Sequence, residues 1–280
     1  MHKIFLVLPS SLLEDCSDIN SKTIKVGLIA RAAAVFKVSN IIIYSTGEKG
    51  FNDNANFLKT LFEYIDCPQY LRKTLFPLRE DLRASGLLPP LEAPHHKRFI
   101  EIGKIKSGEL RQGVVVRRDN KVCYVDVGLD RLVPVYDCEL PFNKRLNIQI
   151  VKGQGEVSGM VVNEPDYYWG FKTAALKNDL GGALRKLSVD LVIGTSKYGG
   201  SIIELFDKVN SEFKSKKSVA IVFGAPRSGI YDIVKDKFRV HELFDYVIDF
   251  VPDQGTRTVR TEEAIYSALS IINLLSKYRR

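Results

Sequence analysis

The run Tyr246-Val-Ile-Asp-Phe-Val-Pro-Asp-Gln-Gly-Thr-Arg-Thr-Val-Arg-Thr-Glu-Glu-Ala264 joins an apolar stretch to a long apolar-faced segment through a dense polar loop. Residues 246–251 have the length and composition of a buried strand. Beyond the loop, Ala264, Ile265, Ala268, Leu269, Ile272 and Leu275 mark one face of a helix over 260–277. Glu262 and Glu263 fall in its first turn, where the helix dipole favours acids. Strand, polar glycine-bearing loop and helix together are the unit of an α/β sheet, and such loops are where these sheets bind ligands. Packing explains the helix face. It does not explain the density of Gln254, Gly255, Thr256, Arg257, Thr258 and Arg260 ahead of it.

Two earlier segments repeat the pattern. Gly194-Thr-Ser-Lys-Tyr-Gly199 follows a strand-like stretch at 189–193, and Gly224-Ala-Pro-Arg-Ser-Gly229 follows one at 218–223. Helices are predicted near 172–185, 200–213 and 228–237. Three such loops so close in the chain suggest one shared pocket. None is a P-loop, and the dinucleotide G-x-G-x-x-G signature is absent. What they offer is backbone N–H and C=O groups with little side-chain obstruction. Those groups suit an adenine edge and ribose hydroxyls, while ordinary turns are the competing reading.

The first ninety residues are also α/β in pattern. A strand at 3–8 precedes a helix over 21–38, in which Ile24, Leu28, Ala32 and Val35 share a face. A strand at 41–44 and helices at 54–66 and 68–75 follow. Pro89, Pro90 and Pro94 make 86–94 a stiff linker. Then the pattern changes. Segments 111–117, 121–127, 131–135, 145–151 and 155–162 are short and Val-rich, and Asp119-Asn120 fits a hairpin turn. Five such strands fit a small Greek-key barrel of the OB-like kind, a common single-stranded nucleic-acid binder. The expected fold class is therefore α/β, formed by 1–94 and 164–280, with an inserted small all-β barrel at 95–163.

The chain has 280 residues, 41 Lys or Arg against 33 Asp or Glu, and a formal charge of +8, compatible with RNA or another polyanion. Cys16, Cys67, Cys123 and Cys138 form no Cys-x-x-Cys pair, and His95-His96 lacks metal-ligand spacing, so reduced structural thiols and no metal are expected. The start, Lys3-Ile-Phe-Leu-Val-Leu8, is too short for a signal-peptide core, and no apolar run reaches membrane-spanning length. The expectation is a cytoplasmic protein.

Several stretches together resemble one family. They are Lys25-Val-Gly-Leu-Ile-Ala-Arg-Ala-Ala-Ala-Val-Phe36, Tyr70-Leu-Arg-Lys-Thr-Leu-Phe-Pro-Leu78, Asp81-Leu-Arg-Ala-Ser-Gly-Leu-Leu-Pro-Pro90, His95-His96, Tyr168-Trp-Gly170, Ile193-Gly-Thr-Ser196, Val222-Phe-Gly224 and Gln254 to Ala264. The chain resembles SPOUT-class RNA methyltransferases of the archaeal and eukaryotic subfamily that carries an inserted OB-like barrel. The resemblance implies a trefoil-knotted methyltransferase domain, a homodimer, and S-adenosylmethionine held by the three loops.

Carried over position by position, it assigns the cofactor to Thr195, Ser196 and Tyr198, to Gly224, Ala225 and Gly229, and to Val251, Asp253, Gln254, Gly255, Thr256 and Thr261. Asp253 stands where relatives have Asn, and Tyr198 where they often have a longer polar residue. Arg31 resembles the arginine that assists the acceptor in ribose-methylating members, and electrostatic stabilisation suits a guanidinium better than base catalysis. Arg257 and Glu262, with Arg260 beside them, are further catalytic candidates. RNA docking is expected from Arg72, Lys73, Arg79 and Arg83 and, in the barrel, from Arg111, Arg117, Arg118, Lys121, Arg131, Lys144 and Arg145. The implied activity is methylation of ribosomal RNA. A uridine base is the favoured target and a ribose 2′-hydroxyl stays open. An RNA-binding assembly factor without turnover is the alternative.

Overall fold

A computed structural model describes residues 2–47, 50–153, 155–235 and 237–277. The chain forms two compact units: one from 1–63, 81–90 and 171–280, the other from 64–80 and 91–170. The chain that leaves the first unit thus does so earlier than the proline-rich linker, and residues 81–90 return to it.

The first unit is built on six parallel strands: β1 (Lys3–Pro9), β2 (Asn40–Tyr44), β8 (Lys172–Leu176), β9 (Leu191–Ser201), β10 (Ser218–Val222) and β11 (Tyr246–Asp249). Their order is β11-β9-β10-β1-β2-β8. Unbroken apolar runs such as Leu6-Val-Leu8, Ile41-Ile-Ile43 and Val219-Ala-Ile-Val222 suit a sheet covered on both faces. Val7, Ile42, Tyr44, Ala220 and Val222 pack with Leu180, Ala183 and Leu184 of α4 (Leu180–Leu187), Ile230 of α6 (Ile230–Val234) and Val240 of α7 (Lys237–Leu243). The remaining helices of this unit include α1 (Ile19–Val35), α5 (Ile202–Ser215) and α8 (Thr261–Lys277), and α8 packs against both α1 and α5. Helix α2 (Phe51–Asp66) begins here and ends in the second unit.

Three local features differ from the sequence reading. Lys172-Thr-Ala-Ala-Leu176 is an edge strand parallel to β2, because sheet pairing outweighs the helix preference of alanine; the helix starts only after Asp179 caps it at Gly182 N, 2.8 Å. The helix predicted over 228–237 is two, α6 ending at Lys235 in the left-handed region and α7 starting at Lys237; Asp236 lies outside the described residues. On α1, Ile24, Leu28 and Val35 are 41–52% exposed, while Val26, Ile29, Ala30 and Ala33 on the opposite side are buried.

The second unit holds an antiparallel sheet of β3 (Leu110–Asp119), β4 (Val122–Asp126), β5 (Val133–Val135), β6 (Leu146–Lys152) and β7 (Val157–Val161), in the order β5-β4-β3-β6-β7. The end strands β5 and β7 lie against each other, so the sheet is nearly closed. Asn120, with φ 50°, makes the β3–β4 hairpin turn. Val125, Val127, Val133, Ile148 and Ile150 fill the interior. Helix α3 (Gln69–Leu75) joins this unit: the Tyr70 hydroxyl donates to the Gln112 carbonyl at 2.7 Å, and Leu71 packs on Val114.

The adjacent histidines serve this unit. The Asp66 carbonyl, at the C-terminal end of α2, accepts from His95 Nε2 at 2.7 Å, His96 Nε2 at 3.0 Å and Arg145 at 3.1 Å. These donors satisfy a helix end that would otherwise be left bare. Burial, and then the neighbouring His95, push His96 down from its ordinary 6.5 to about 4. Between those values the unfolded chain binds a proton that the folded chain does not. Stability is therefore full above 6.5 and falls as pH drops towards 4, by on the order of 3 kcal/mol. Melting followed between pH 7 and pH 4 should show this slope, and His96→Gln, which cannot be protonated, should flatten it.

Candidate functional site

The order β11-β9-β10 sets the carboxyl ends of three neighbouring parallel strands on one edge of the sheet, and the three glycine-bearing loops meet there. The first loop is an excursion from a strand rather than a strand end. Strand β9 pairs with β11 at Gly194, bulges out, and rejoins it at Gly200 and Ser201. Gly199 makes this possible, since a Cβ there would sit 2.5 Å from the Val247 carbonyl oxygen. The Thr195 hydroxyl donates to the Val222 carbonyl at 3.0 Å, tying this loop to the end of β10.

The second loop closes tightly on itself. Ala225 N donates to the Ser228 carbonyl at 2.8 Å, and Gly229 N to Asp232 Oδ2 at 2.9 Å. The buried Tyr44 hydroxyl holds its start by donating to the Phe223 carbonyl at 3.0 Å. In the third loop Asp253 takes φ 55°, Gln254 Nε2 donates to the Thr256 carbonyl at 2.8 Å, and the Thr256 hydroxyl to the Thr258 carbonyl at 3.0 Å. Lys197 Nζ reaches the Arg257 carbonyl at 3.4 Å, linking the first loop to the third.

The loops enclose a cleft of about 330 Å³, at the small end of the range for small-molecule sites. Of the residues expected there, Thr195, Ser196, Tyr198, Gly224, Ala225, Gly229, Val251, Gln254 and Thr261 line it; Asp253, Gly255 and Thr256 do not. Those three shape the turn behind Gln254. Sequence reasoning missed Phe223, Asp232, Asp249 and Thr258, which also line the cleft. Phe223 adjoins Gly224, and Thr258 belongs to the dense polar run after Gly255; Asp232 and Asp249 carried no such signal. The lining combines an apolar floor (Phe223, Ile248, Phe250), hydroxyls, backbone amides, two carboxylates and Arg227. That donor set fits an amino-acid-bearing nucleoside such as S-adenosylmethionine: apolar slot for the base, hydroxyls for the ribose, a carboxylate for the ammonium and a guanidinium for the carboxylate.

The catalytic candidates lie apart from one another. Arg31 donates to the Pro90 carbonyl at 2.9 Å and does not line the cleft. Gly27, one turn earlier, meets Pro89, so the returning segment packs along α1. Arg257 is exposed. Glu262 faces a second cleft beside the first, together with a residue the sequence reading left unassigned, the 4%-exposed Lys25. Lys25 Nζ binds both Asp15 oxygens, at 2.7 and 2.8 Å, and lies 3.4 Å from Glu262 Oε2. Burial, followed by the Asp15 charge, pushes the nearby Cys16 thiol up, which disfavours it as a nucleophile.

The expected RNA-docking residues divide. Lys73, Arg79, Arg83, Arg117, Arg118, Lys121, Arg131 and Lys144 are exposed. Arg111 departs from expectation: it is 1% exposed, bonds the Arg98 carbonyl and lies over the Tyr70 ring, out of reach of RNA. Arg145 is held by the Asp66 carboxylate at 2.9 Å, and Arg72 caps the end of α2 through the Ile65 and Cys67 carbonyls. Among the described residues no group of three or more metal-ligating side chains occurs, and no helix is long and apolar enough to cross a membrane.

Fold and cleft define an α/β protein with a nucleoside-sized site at the carboxyl edge of a parallel sheet. Residues 3–272 match the profile of a family described as putative RNA methyltransferase. The chain is 30% identical over 306 residues to the 28S rRNA (uridine-N(3))-methyltransferase of Mus musculus, covering 97% of this chain and 76% of that protein. Against the enzyme of the same name from Homo sapiens it is 30% identical over 304 residues, covering 97% and 78%. The SpoU methyltransferase AviRb from Streptomyces viridochromogenes, solved with AdoMet, overlays with a TM-score of 0.37 at 9% identity, covering 98% of this chain and 58% of that one, too distant a likeness to fix the fold. The chain belongs to the RNA methyltransferase family that the profile describes, and the resemblance read from its motifs is borne out at that level.

Two glycine substitutions probe the cleft. At Gly224 a Cβ would lie 2.9 Å from Gly229 Cα and from the Ser228 carbonyl oxygen, so the loop's own backbone is what excludes a side chain. Gly224→Val should abolish S-adenosylmethionine binding in a calorimetric titration by spreading that loop. Gly255 has open space around it, and Gly255→Ala should leave the affinity within about threefold.

Proposed function

We propose that this chain is an S-adenosylmethionine-dependent methyltransferase that methylates N3 of a uridine in large-subunit ribosomal RNA. The observation that carries this reading is near-full-length similarity to two enzymes named for that reaction, in a chain whose strand-end loops form a nucleoside-sized cleft. The methyl donor supplies an electrophilic methyl group on a sulfonium. This chain's own part is to hold donor and acceptor in line and to manage the acceptor's proton. Thr195, Ser196, Tyr198, Gly224, Ala225, Gly229, Val251, Gln254 and Thr261 hold the donor, with Phe223, Asp232, Asp249 and Thr258. Asp253, Gly255 and Thr256 support them from behind.

The finer architecture belongs to the same reading. The α/β unit is a SPOUT domain whose last strand and helix form a trefoil knot, and the barrel is OB-like. The strand order β5-β4-β3-β6-β7 with β5 against β7 supports the latter. The barrel grips RNA through its exposed cations and rings: Arg117 lies 4.2 Å over Tyr124, and Arg118 5.3 Å over the exposed Phe142. The chain works as a homodimer. The resemblance of its motifs to SPOUT enzymes supports this. Arg31, on α1, acts on the acceptor in that assembly by electrostatic stabilisation, as the resemblance implies.

The test is methylation of unmodified large-subunit ribosomal RNA by the purified protein with S-adenosylmethionine, read by mass spectrometry of the nucleosides. N3-methyluridine is the expected product. Arg31→Ala should keep donor affinity and lower turnover by about 100-fold. Donor and RNA binding without any methylated nucleoside would favour an assembly factor instead.

A further inference from the structure

The cleft that holds Glu262 measures about 630 Å³ and shares Ala225, Pro226, Arg227, Thr258, Val259 and Thr261 with the donor cleft. An acceptor must come within about 3–3.5 Å of the group it attacks, so the target base belongs in a space that adjoins the donor's. This second cleft is such a space. Its distinguishing feature is the Glu262 carboxylate. Oε2 is buried and has no hydrogen-bond partner among the described residues, although Lys25 Nζ lies 3.4 Å away. Lys25 spends its short bonds on Asp15. The ion pair holds Oε2 from the buried side, while the carboxylate lines the cleft, where an incoming N–H donor meets it.

The other charged groups at this cleft are Arg227 on the second loop, Arg260 ahead of α8, and Asp15 beside Cys16 on the turn before α1. Lys25, itself held by Asp15, steadies the carboxylate from its buried side. Uracil presents a single ring donor, N3–H, between two carbonyls. Cytosine presents a bare lone pair at N3, which a carboxylate repels. The Glu262 carboxylate beside the donor cleft therefore selects the base by the very atom that is to be methylated.

We propose that the second cleft receives the target uracil, and that Glu262 recognises its N3–H and accepts that proton. The proton passes from N3 to the carboxylate. The electron pair left on N3 forms the bond to the methyl carbon as the methyl–sulfur bond breaks, with its pair staying on sulfur. The carboxylic acid then returns its proton to water. Lys25 is a positioning residue and touches no substrate atom in this scheme. The proposal rests on the uridine-N3 reading above.

Three measurements on the full chain test it. Glu262→Gln should retain S-adenosylmethionine affinity and melting temperature, yet lose about 100-fold in rate near neutral pH, with the remaining rate climbing about tenfold per pH unit as hydroxide replaces the carboxylate. In binding assays with S-adenosylhomocysteine present, wild type should prefer the uridine RNA over the same RNA with cytidine at the target by about tenfold or more, and Glu262→Gln should lose that preference. Wild type should also bind RNA already carrying N3-methyluridine no better than the cytidine RNA, a comparison that needs no variant. A Glu262→Gln enzyme slowed equally at every pH, with base preference intact, would reduce Glu262 to a structural ion pair. Equal wild-type affinity for uridine and N3-methyluridine RNA overturns the proposal outright. A wild type that binds the donor but methylates no uridine sinks the function reading itself; normal wild-type activity with the other outcomes reversed sinks only the role of Glu262.

Discussion

The site depends on parallel pairing of β9 with β10 on one side and β11 on the other. In a parallel sheet every carboxyl end falls on the same edge, so three loops distant in sequence become the walls of one cleft. The pairing is sterically demanding. Strand β9 must leave β11 and rejoin it across five residues, and the chain can approach the Val247 carbonyl there only because residue 199 lacks a Cβ. The second loop must fold back to within van der Waals reach of Gly224. Both glycines act on the protein's own backbone. The cleft is thus a consequence of how closely the loops approach one another, with ligand contact left to the residues between the glycines.

The charged groups of the chain fall into those used for structure and those left at the surface. Arg111, Arg145, Arg72 and Lys25 each bond a carbonyl or carboxylate of the protein. Their partners are backbone carbonyls at helix or segment ends and carboxylates that are partly buried. A guanidinium suits this work, since several donors on a rigid plane can serve more than one acceptor. Lys73 on α3, Arg79 and Arg83 after it, Arg117 on β3 and Lys121 after the β3–β4 turn are exposed.

Much of this was legible in sequence. The five barrel strands, the parallel strands other than β8, and the final helix follow from apolar periodicity and turn residues, because there local preference and tertiary demand agree. Strand β8 was hidden because Ala-Ala-Leu favours helix, and the segment is held as a strand by its pairing with β2 alone. The lining role of nine cofactor positions came from glycine-loop motifs and family resemblance. Phe223, Asp232 and Asp249 were not found, since a carboxylate or ring beside a turn looks the same whether it faces a cleft or solvent. Lys25 was invisible for a different reason: burial of a lysine is decided by partners on the preceding turn and on α8, the latter more than two hundred residues away. Arg111 shows the converse, a cation in a basic stretch that packing turns inward.

The central claim is that the three loops at the β11-β9-β10 edge bind the methyl donor. Hydrogen–deuterium exchange with and without S-adenosylmethionine tests it most directly. The account predicts slowed exchange confined to residues 194–201, 223–232 and 249–264, with the strands of the barrel unchanged. Slowed exchange centred on the barrel or on the 10–20 turn, with those three segments unaffected, would contradict it.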